Sequence, residues 1–328
     1  MDFLYFLQNI RTGIGDFFFG TVTHLGEETA FLALAILFFW CINKREGYYI
    51  LMTGVIGTVV NQWLKIVCRI PRPWLADSRL HPVGGAVKEA TGYSFPSGHT
   101  QNVAGTFGCI GRYNKQRWVK ISAAVIIVLV AFSRMYLGVH TPLDVATSLG
   151  IAAFLVFAFH FVFRTEASTD KYMPYVTVGA VVLSVAFILY VFLVPDSGFS
   201  ASADMNNLLS ARDNAATLAG CLFGLALVYP LDRYFIRFDT KGRWYSQIVK
   251  FVIGIAVVLA IKILLKDPLN DLFGIYVGRA VRYFLIVAFA GAAWPLTFKF
   301  FERLKIDSLD RFSDFVASKF GKTAQTEE

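Results

Sequence analysis

Apolar residues gather into runs of about 14 to 20, separated by short charged loops. None of these runs alternates with a period of two, which argues against a transmembrane barrel. Helix is the default for a spanning run, because lipid offers backbone N–H and C=O groups no partner. Nine candidate spans follow, with cores near 29–42, 49–65, 98–110, 119–132, 145–163, 175–194, 215–229, 248–265 and 283–298. Residues 1–27, with their FLYFL and DFFFG stretches, predict an amphipathic segment lying at the membrane interface. The polar tail over 309–328 predicts a cytoplasmic terminus. The fold class is therefore an all-α polytopic membrane protein.

Composition sharpens this picture. The 328 residues are 56% hydrophobic and 16% charged, against roughly 25% charged in an average soluble domain. That excludes a disordered chain and argues against an ordinary soluble enzyme. The net charge of +8 sits in loops between apolar runs, so membrane topology explains it and no nucleic-acid partner is implied. Nineteen of the 31 Lys and Arg fall on the side opposite the N-terminus. The positive-inside rule makes that side cytoplasmic and the N-terminal side periplasmic, extracellular or lumenal. Four scattered cysteines, Cys41, Cys68, Cys109 and Cys221, show no metal-type spacing and no disulfide framework. The first residues lack the basic region of a cleaved signal peptide.

Chemistry concentrates on the extracytoplasmic side in three clusters. Lys65 ends the second span and is followed by Arg72-Pro73. Pro96-Ser97-Gly98-His99 opens the third span. Ser133-Arg134, His140 and Asp144 bridge the fourth and fifth. Crossing arithmetic puts all three at one membrane surface. Ionisable groups at membrane depth are costly and usually functional. Two Arg forks and a Lys point charge suit a phosphate, as does the helix N-terminus at Ser97 and Gly98. His140 and Asp144 stand one helical turn apart, so the carboxylate can fix the imidazole tautomer and leave the other nitrogen free to attack. His99 is a second imidazole, able to protonate a leaving oxygen. Together these groups make a phosphoryl-transfer site that needs no metal and no cofactor.

The bland readings are weighed residue by residue. Lys65, Arg72 and Arg134, taken singly, read as snorkelling interfacial cations. His24 and His160 have no motif and read as structural, and His81 reads as a loop residue. Ser133 reads as a packing residue bonding its own backbone. Asn61 and Gln62 predict interhelical hydrogen bonds, and Arg212-Asp213 predicts a surface ion pair.

K-x6-R-P, P-S-G-H and S-R-x5-H-x3-D together resemble the three signature motifs of the type 2 phosphatidic acid phosphatase superfamily. The resemblance runs from Lys65 to Asp144, and all eleven signature positions are present. It implies a six-helix phosphatase core, here 28–195, followed by three additional spans over 196–308. It implies that His140 is the nucleophile forming a phosphohistidine, that Asp144 orients it, and that His99 gives and takes the proton. Lys65, Arg72, Ser97, Gly98 and Arg134 would hold the phosphoryl oxygens. The implied function is metal-independent hydrolysis of a membrane lipid phosphomonoester or pyrophosphate on the extracytoplasmic face, with a lipid phosphate and the bilayer as partners. Nine spans also resemble the glucose-6-phosphatases, so a soluble sugar phosphate is the enzymatic alternative. A non-hydrolytic lipid-phosphate transporter is the alternative of another class. Its expected sign, a missing nucleophile or proton donor, is absent.

Overall fold

The computed structural model describes residues 1–199 and 202–311. The expected tail at 309–328 therefore lies almost entirely outside the described residues. Among the described residues every regular element is a helix. In chain order these are α1 (Asp2–Asn9), α2 (Gly13–Val22), α3 (Glu28–Leu37), α4 (Lys44–Cys68), α5 (Gly98–Tyr113), α6 (Arg117–Tyr136) and α7 (Pro142–Phe163). They continue as α8 (Glu166–Leu193), α9 (Ser202–Leu231), α10 (Trp244–Leu264), α11 (Lys266–Phe273), α12 (Ile275–Ala288) and α13 (Phe298–Arg303).

Each of the nine expected runs is helical, but not all are spans of the same kind. Among the described residues, seven stretches are long and apolar enough to cross a bilayer unaided. An eighth is a pair, Gly13–Gly26 and Glu28–Ile42, bent by 52°. The ninth, α5, has only 16 residues and carries Gln101, Asn102 and several Thr and Gly. It lies packed among α4, α6 and α7. Its first residue follows Ser97 beside Asp144, and just past its last residue Asn114 donates to Glu46 in the first turn of α4. A helix buried among other helices has no need of a continuous apolar surface.

The N-terminal segment differs from a single interfacial helix. It forms α1, α2 and a tight turn over Thr23–Gly26. α2 packs on α6 through Phe19, whose ring lies 4.5 Å from Tyr136 and 5.3 Å from Phe132. α1 and its following turn hold the loop between α4 and α5: Tyr5 bonds Asp77, Gln8 donates to the Arg79 carbonyl and Arg11 to the His81 carbonyl, and Arg11 also reaches the Tyr136 carbonyl at the end of α6.

Two helices form the axis of the bundle. The stretches Lys44–Ala76 and Ser202–Ile236 are each 61% buried, against 11% for Trp244–Leu264. α4 packs against α3, α5, α7, α8 and α9, and α9 against α4, α8 and α12. α9 and α12 approach closely at Gly220 and Gly224, where any added Cβ would strike Ala280, Phe284 or Val287. That G-x-x-x-G pair is the small-residue spacing that lets membrane helices touch backbone to backbone. Trp40, fully buried, fastens the first span to the last ones: its Nε1 donates to the Ala290 carbonyl at 2.8 Å, and rings of Phe251, Trp294 and Phe298 surround it. One large core runs through α3, α4, α5 and α7 to α10, and a smaller cluster of Ala86, Tyr136, Leu137 and Val139 sits at the end of α6. The outside carries exposed Phe154, Phe157, Phe161, Val178, Val182 and Leu189, the apolar belt that lipid would cover.

Candidate active site

The polar residues singled out above meet at one end of α4, α5, α6 and α7. Local sequence explains how each is delivered. Asn43 caps α4 by accepting from the Glu46 N–H, and Arg69 ends it in the left-handed conformation, leaving Lys65 on the last inward-facing turn. Ser97 caps α5, its Oγ accepting from the Thr100 N–H. Thr141 caps α7 with Pro142 at the first helical position, and Thr141 and Asp144 form a reciprocal capping box. Between α6 and α7 the chain must turn sharply. Gly138 has φ +78°, and an added Cβ there would also meet Arg11 and the Pro82 backbone. The amides of Val139 and His140 both bond the Arg134 carbonyl, at 3.1 and 3.2 Å, so the turn fixes His140 against the end of α6.

The centre is a line of three side chains, all nearly fully buried. Arg72 Nη1 lies 2.9 Å from His140 Nε2. Asp144 Oδ2 lies 3.4 Å from His140 Nδ1. A guanidinium only donates, so Nε2 accepts and the ring proton sits on Nδ1, facing the carboxylate. The Asp144 contact is close but not aligned as a hydrogen bond. Such contacts commonly tighten when substrate binds. Asp144 Oδ2 is itself held by Ser94 Oγ at 2.6 Å and the Thr141 amide at 2.8 Å. Burial, then the nearby Arg72, Lys65 and Arg134 charges, hold the His140 pKa well below the usual imidazole value. The imidazole is therefore held in its neutral form, with the Nε2 lone pair toward Arg72.

The cations surround this line and are held by neutral groups. Arg72 also donates to the carbonyls of Thr91, Gly92 and Val139. Lys65 Nζ donates to the Tyr93 carbonyl at 2.5 Å. Arg134 Nη1 donates to Thr23 Oγ1 at 2.6 Å. Ser97 lies alongside: its amide donates to the Asp144 carbonyl, and its carbonyl accepts from Ser148 Oγ. His99, on the first turn of α5, is within electrostatic range of Arg134, Arg72 and Lys65. Gly26 packs against its backbone. Gly98 has no side chain between the backbone and Asn61, and a Cβ would sit 4.0 Å from Asn61 Oδ1. Among the described residues no group of three His, Cys, Asp or Glu could hold a metal ion.

Some residues belong to this centre without any signal in the motifs. Ser94 bonds the Asp144 carboxylate, and Thr91, Gly92, Tyr93 and Val139 supply carbonyls. Thr23 comes from the N-terminal segment, 111 residues away from Arg134. Backbone acceptors have no side-chain signature, so no reading of residue types finds them. Ser133 bonds the Val130 carbonyl, as the packing reading expects. His81 lies in the loop, its backbone held by Gln8 and Arg11. Two expectations are corrected. Asn61 makes no interhelical hydrogen bond, both its side-chain polar atoms being buried without a partner, and Gln62 lines a cavity. Arg212 and Asp213 do not pair with each other: Arg212 reaches Asp196 at 2.7 Å and Asp213 reaches Arg279 at 2.9 Å. Adjacent residues on a helix point some 100° apart, so each finds a partner on a different neighbour.

The geometry agrees with what comparison finds. Residues 45–168 match the PAP2 superfamily model, and residues 216–305 match the PAP2 superfamily phosphatase transmembrane extension. The chain belongs to the PAP2 superfamily. It is 32% identical over 132 residues to an undecaprenyl-diphosphatase of Bacillus subtilis, a match covering 39% of this chain and 65% of that relative. It is 29% identical over 164 residues to phosphatidylglycerophosphatase B of the same organism, covering 46% of this chain and 72% of the relative. Lipid phosphate phosphatase delta of Arabidopsis thaliana is 24% identical over 161 residues, covering 46% of this chain and 39% of that one. The chain thus spans just under two thirds of the first of these relatives. No solved structure matches. In PAP2 terms, the centre described above falls within the first matched segment except for Thr23, while the matched extension begins midway along α9 and runs through α10 and α12.

Proposed function

We propose that this PAP2 protein is an integral-membrane phosphatase that cleaves a phosphate ester of a membrane lipid through a phosphohistidine. The observation that carries the reading is the line Arg72–His140–Asp144, with Nε2 of a neutral imidazole facing the cation and Nδ1 facing the carboxylate. A substrate phosphate takes the Arg72 Nη1–H for one of its oxygens, which frees the Nε2 lone pair. Nε2 then attacks phosphorus in line, an N–P bond forms, and the bond from phosphorus to the leaving oxygen breaks. His99 gives its proton to that oxygen. Water next attacks the phosphorus and gives a proton back to His99 as the N–P bond breaks. Asp144 stabilises the positive charge that develops on the ring while the N–P bond exists. Lys65, Arg72, Arg134 and the α5 N-terminus at Ser97 and Gly98 hold the equatorial oxygens, where charge spreads in a loose transition state.

The phosphatase core corresponds to 28–195, and the spans of 196–308 close one side of it. The site lies at the end of the bundle that the Lys and Arg distribution assigns to the extracytoplasmic face. A lipid held in the bilayer presents its headgroup at that depth without leaving the membrane. The test is phosphate release by the purified full chain in detergent with EDTA, across phosphatidic acid, phosphatidylglycerophosphate, undecaprenyl diphosphate and glucose 6-phosphate. The reading expects turnover of at least one lipid phosphate, abolished in His140→Ala. Turnover that survives in that variant would overturn it. Faster turnover of glucose 6-phosphate than of every lipid would replace the lipid with a sugar phosphate.

A further inference from the structure

A small polar cavity lies beside Lys65, between α4 and α9. Gln62 and Lys65 line it from α4, Tyr93 from the loop, and Asn207, Ser210 and Asn214 from α9. The last three fall at i, i+3 and i+7, one stripe of the helix. Among the described residues, the side chains of Gln62, Ser210 and Asn214 make no hydrogen bond to protein. Membrane helices rarely carry four amide and hydroxyl side chains around one gap without something to bond.

Size and charge say what fits. The free space is that of a single water-sized group. The one cation in the lining is Lys65, already held by the Tyr93 carbonyl and shared with the phosphate site. A second phosphate would bring at least one more negative charge and needs further Arg or Lys forks. The cavity offers amides instead, which both donate and accept. At its edge Tyr93 donates to the Asp204 carboxylate at 2.8 Å, and burial with that contact pushes the phenol up to about 12, so it stays a neutral donor. A carboxylate there further disfavours a diphosphate.

We propose that this cavity is a hydroxyl subsite, taking a free hydroxyl next to the ester oxygen of the leaving alcohol. The site then prefers phosphomonoesters of polyols over diphosphates and over lipid phosphates whose remaining hydroxyls are acylated. The inference rests on the phosphatase reading, and it gives the first half of α9, just ahead of the matched extension, a role: it reads the substrate while α4 to α7 do the chemistry.

The experiment compares kcat/KM of the full chain in detergent for phosphatidylglycerophosphate, glycerol 3-phosphate, phosphatidic acid and undecaprenyl diphosphate. Wild type is expected to favour a glycerol phosphate over the last two by tenfold or more. Asn214→Leu, which keeps the size and removes the hydrogen bonds, should cut that ratio about tenfold, or about 1.4 kcal/mol. Ser210→Ala should cut it less. Phosphatidic acid turnover in the same sample reports that each variant is folded. A loss seen with both glycerol phosphates assigns the subsite to the hydroxyl alone, and a loss only with the lipid assigns it to a lipid headgroup. An unchanged ratio in both variants, or a wild-type preference for the diphosphate, overturns the subsite and leaves the phosphatase intact. No turnover of any phosphate overturns the phosphatase reading itself.

Discussion

The cations of the site and the paired cations at the far end of the bundle are held in opposite ways. At the far end from the site, Lys44 meets Asp232 at 3.0 Å, and Arg233 meets Asp170 at 2.6 Å and Glu166 at 3.2 Å. Their charge is spent locally. At the site end, Lys65 and Arg72 are nearly fully buried, yet the groups they bond are the carbonyls of Tyr93, Thr91, Gly92 and Val139 and the ring of His140. Carbonyls satisfy N–H groups without cancelling charge. The first arrangement fastens helices, and the second keeps a buried positive potential ready for an anion. A cluster of buried cations with neutral partners around one imidazole marks the place where a phosphate fits; at the far end a single buried lysine, Lys250, also bonds a carbonyl, that of Trp40 at 2.8 Å.

On the proposed mechanism, removing His140 should have the largest effect. His140→Ala is expected to lower kcat by about 10⁴ or more, as loss of a covalent nucleophile does elsewhere. Asp170→Ala, at the paired end, should leave turnover within about twofold, since it lies in no part of the site; equal losses would erase the contrast.

Asp144→Asn comes next, with an expected loss in kcat of about 10² to 10⁴, because an amide no longer favours the tautomer with the proton on Nδ1. Arg72→Lys is expected to cost about 10² in kcat/KM, because a point charge cannot grip two phosphoryl oxygens while also facing Nε2. Full activity in Arg72→Lys would reduce the site to simple charge attraction.

Gly138→Ala tests the turn that presents His140. A left-handed conformation costs a residue with a Cβ roughly 1–2 kcal/mol, and crowding by Arg11 and Pro82 adds to it. Thermal melting in detergent should show the loss, with activity falling alongside.

Protonation makes the smallest test. The folded His140 binds its proton more weakly than an unfolded histidine does. Between the lowered folded pKa and about 6.5, the unfolded chain therefore holds the extra proton. Stability should fall as pH drops below about 6.5, and His140→Gln should flatten that slope. At the paired end, Arg233→Ala should change stability by no more than about 1 kcal/mol, because Arg233 and its carboxylates are partly exposed.

How much of this was legible in the residues varies by element. The long apolar runs declare themselves, because a lipid-facing helix must be apolar over its whole outer surface. α5 shows only as a shorter, less apolar run at 98–110, because it hides among α4, α6 and α7 and can carry Thr, Gln and Gly. The N-terminal segment reads as one amphipathic stretch, but Gly13 and the turn at Thr23–Gly26 divide it, and its contact with Arg134 depends on tertiary packing. Lys65, Arg72, Ser97, His99, Arg134, His140 and Asp144 stand out by type and spacing. Ser94 does not, since a lone serine before a proline-containing loop looks like any other.

Sequence alone determined the all-helical membrane architecture, the helix start at Ser97 and Gly98, and the set of ionisable residues expected on one face. Those follow from local chemistry: hydrophobic length, helix-end hydrogen bonding and the cost of charge in lipid. Tertiary structure alone decided that His140 turns Nε2 to Arg72, that carbonyls rather than carboxylates hold the cations, and that α9 brings Asn207, Ser210 and Asn214 up to Lys65. The reason is that backbone acceptors and the facing of distant helices leave no mark on residue identity; they exist only once the chain has packed.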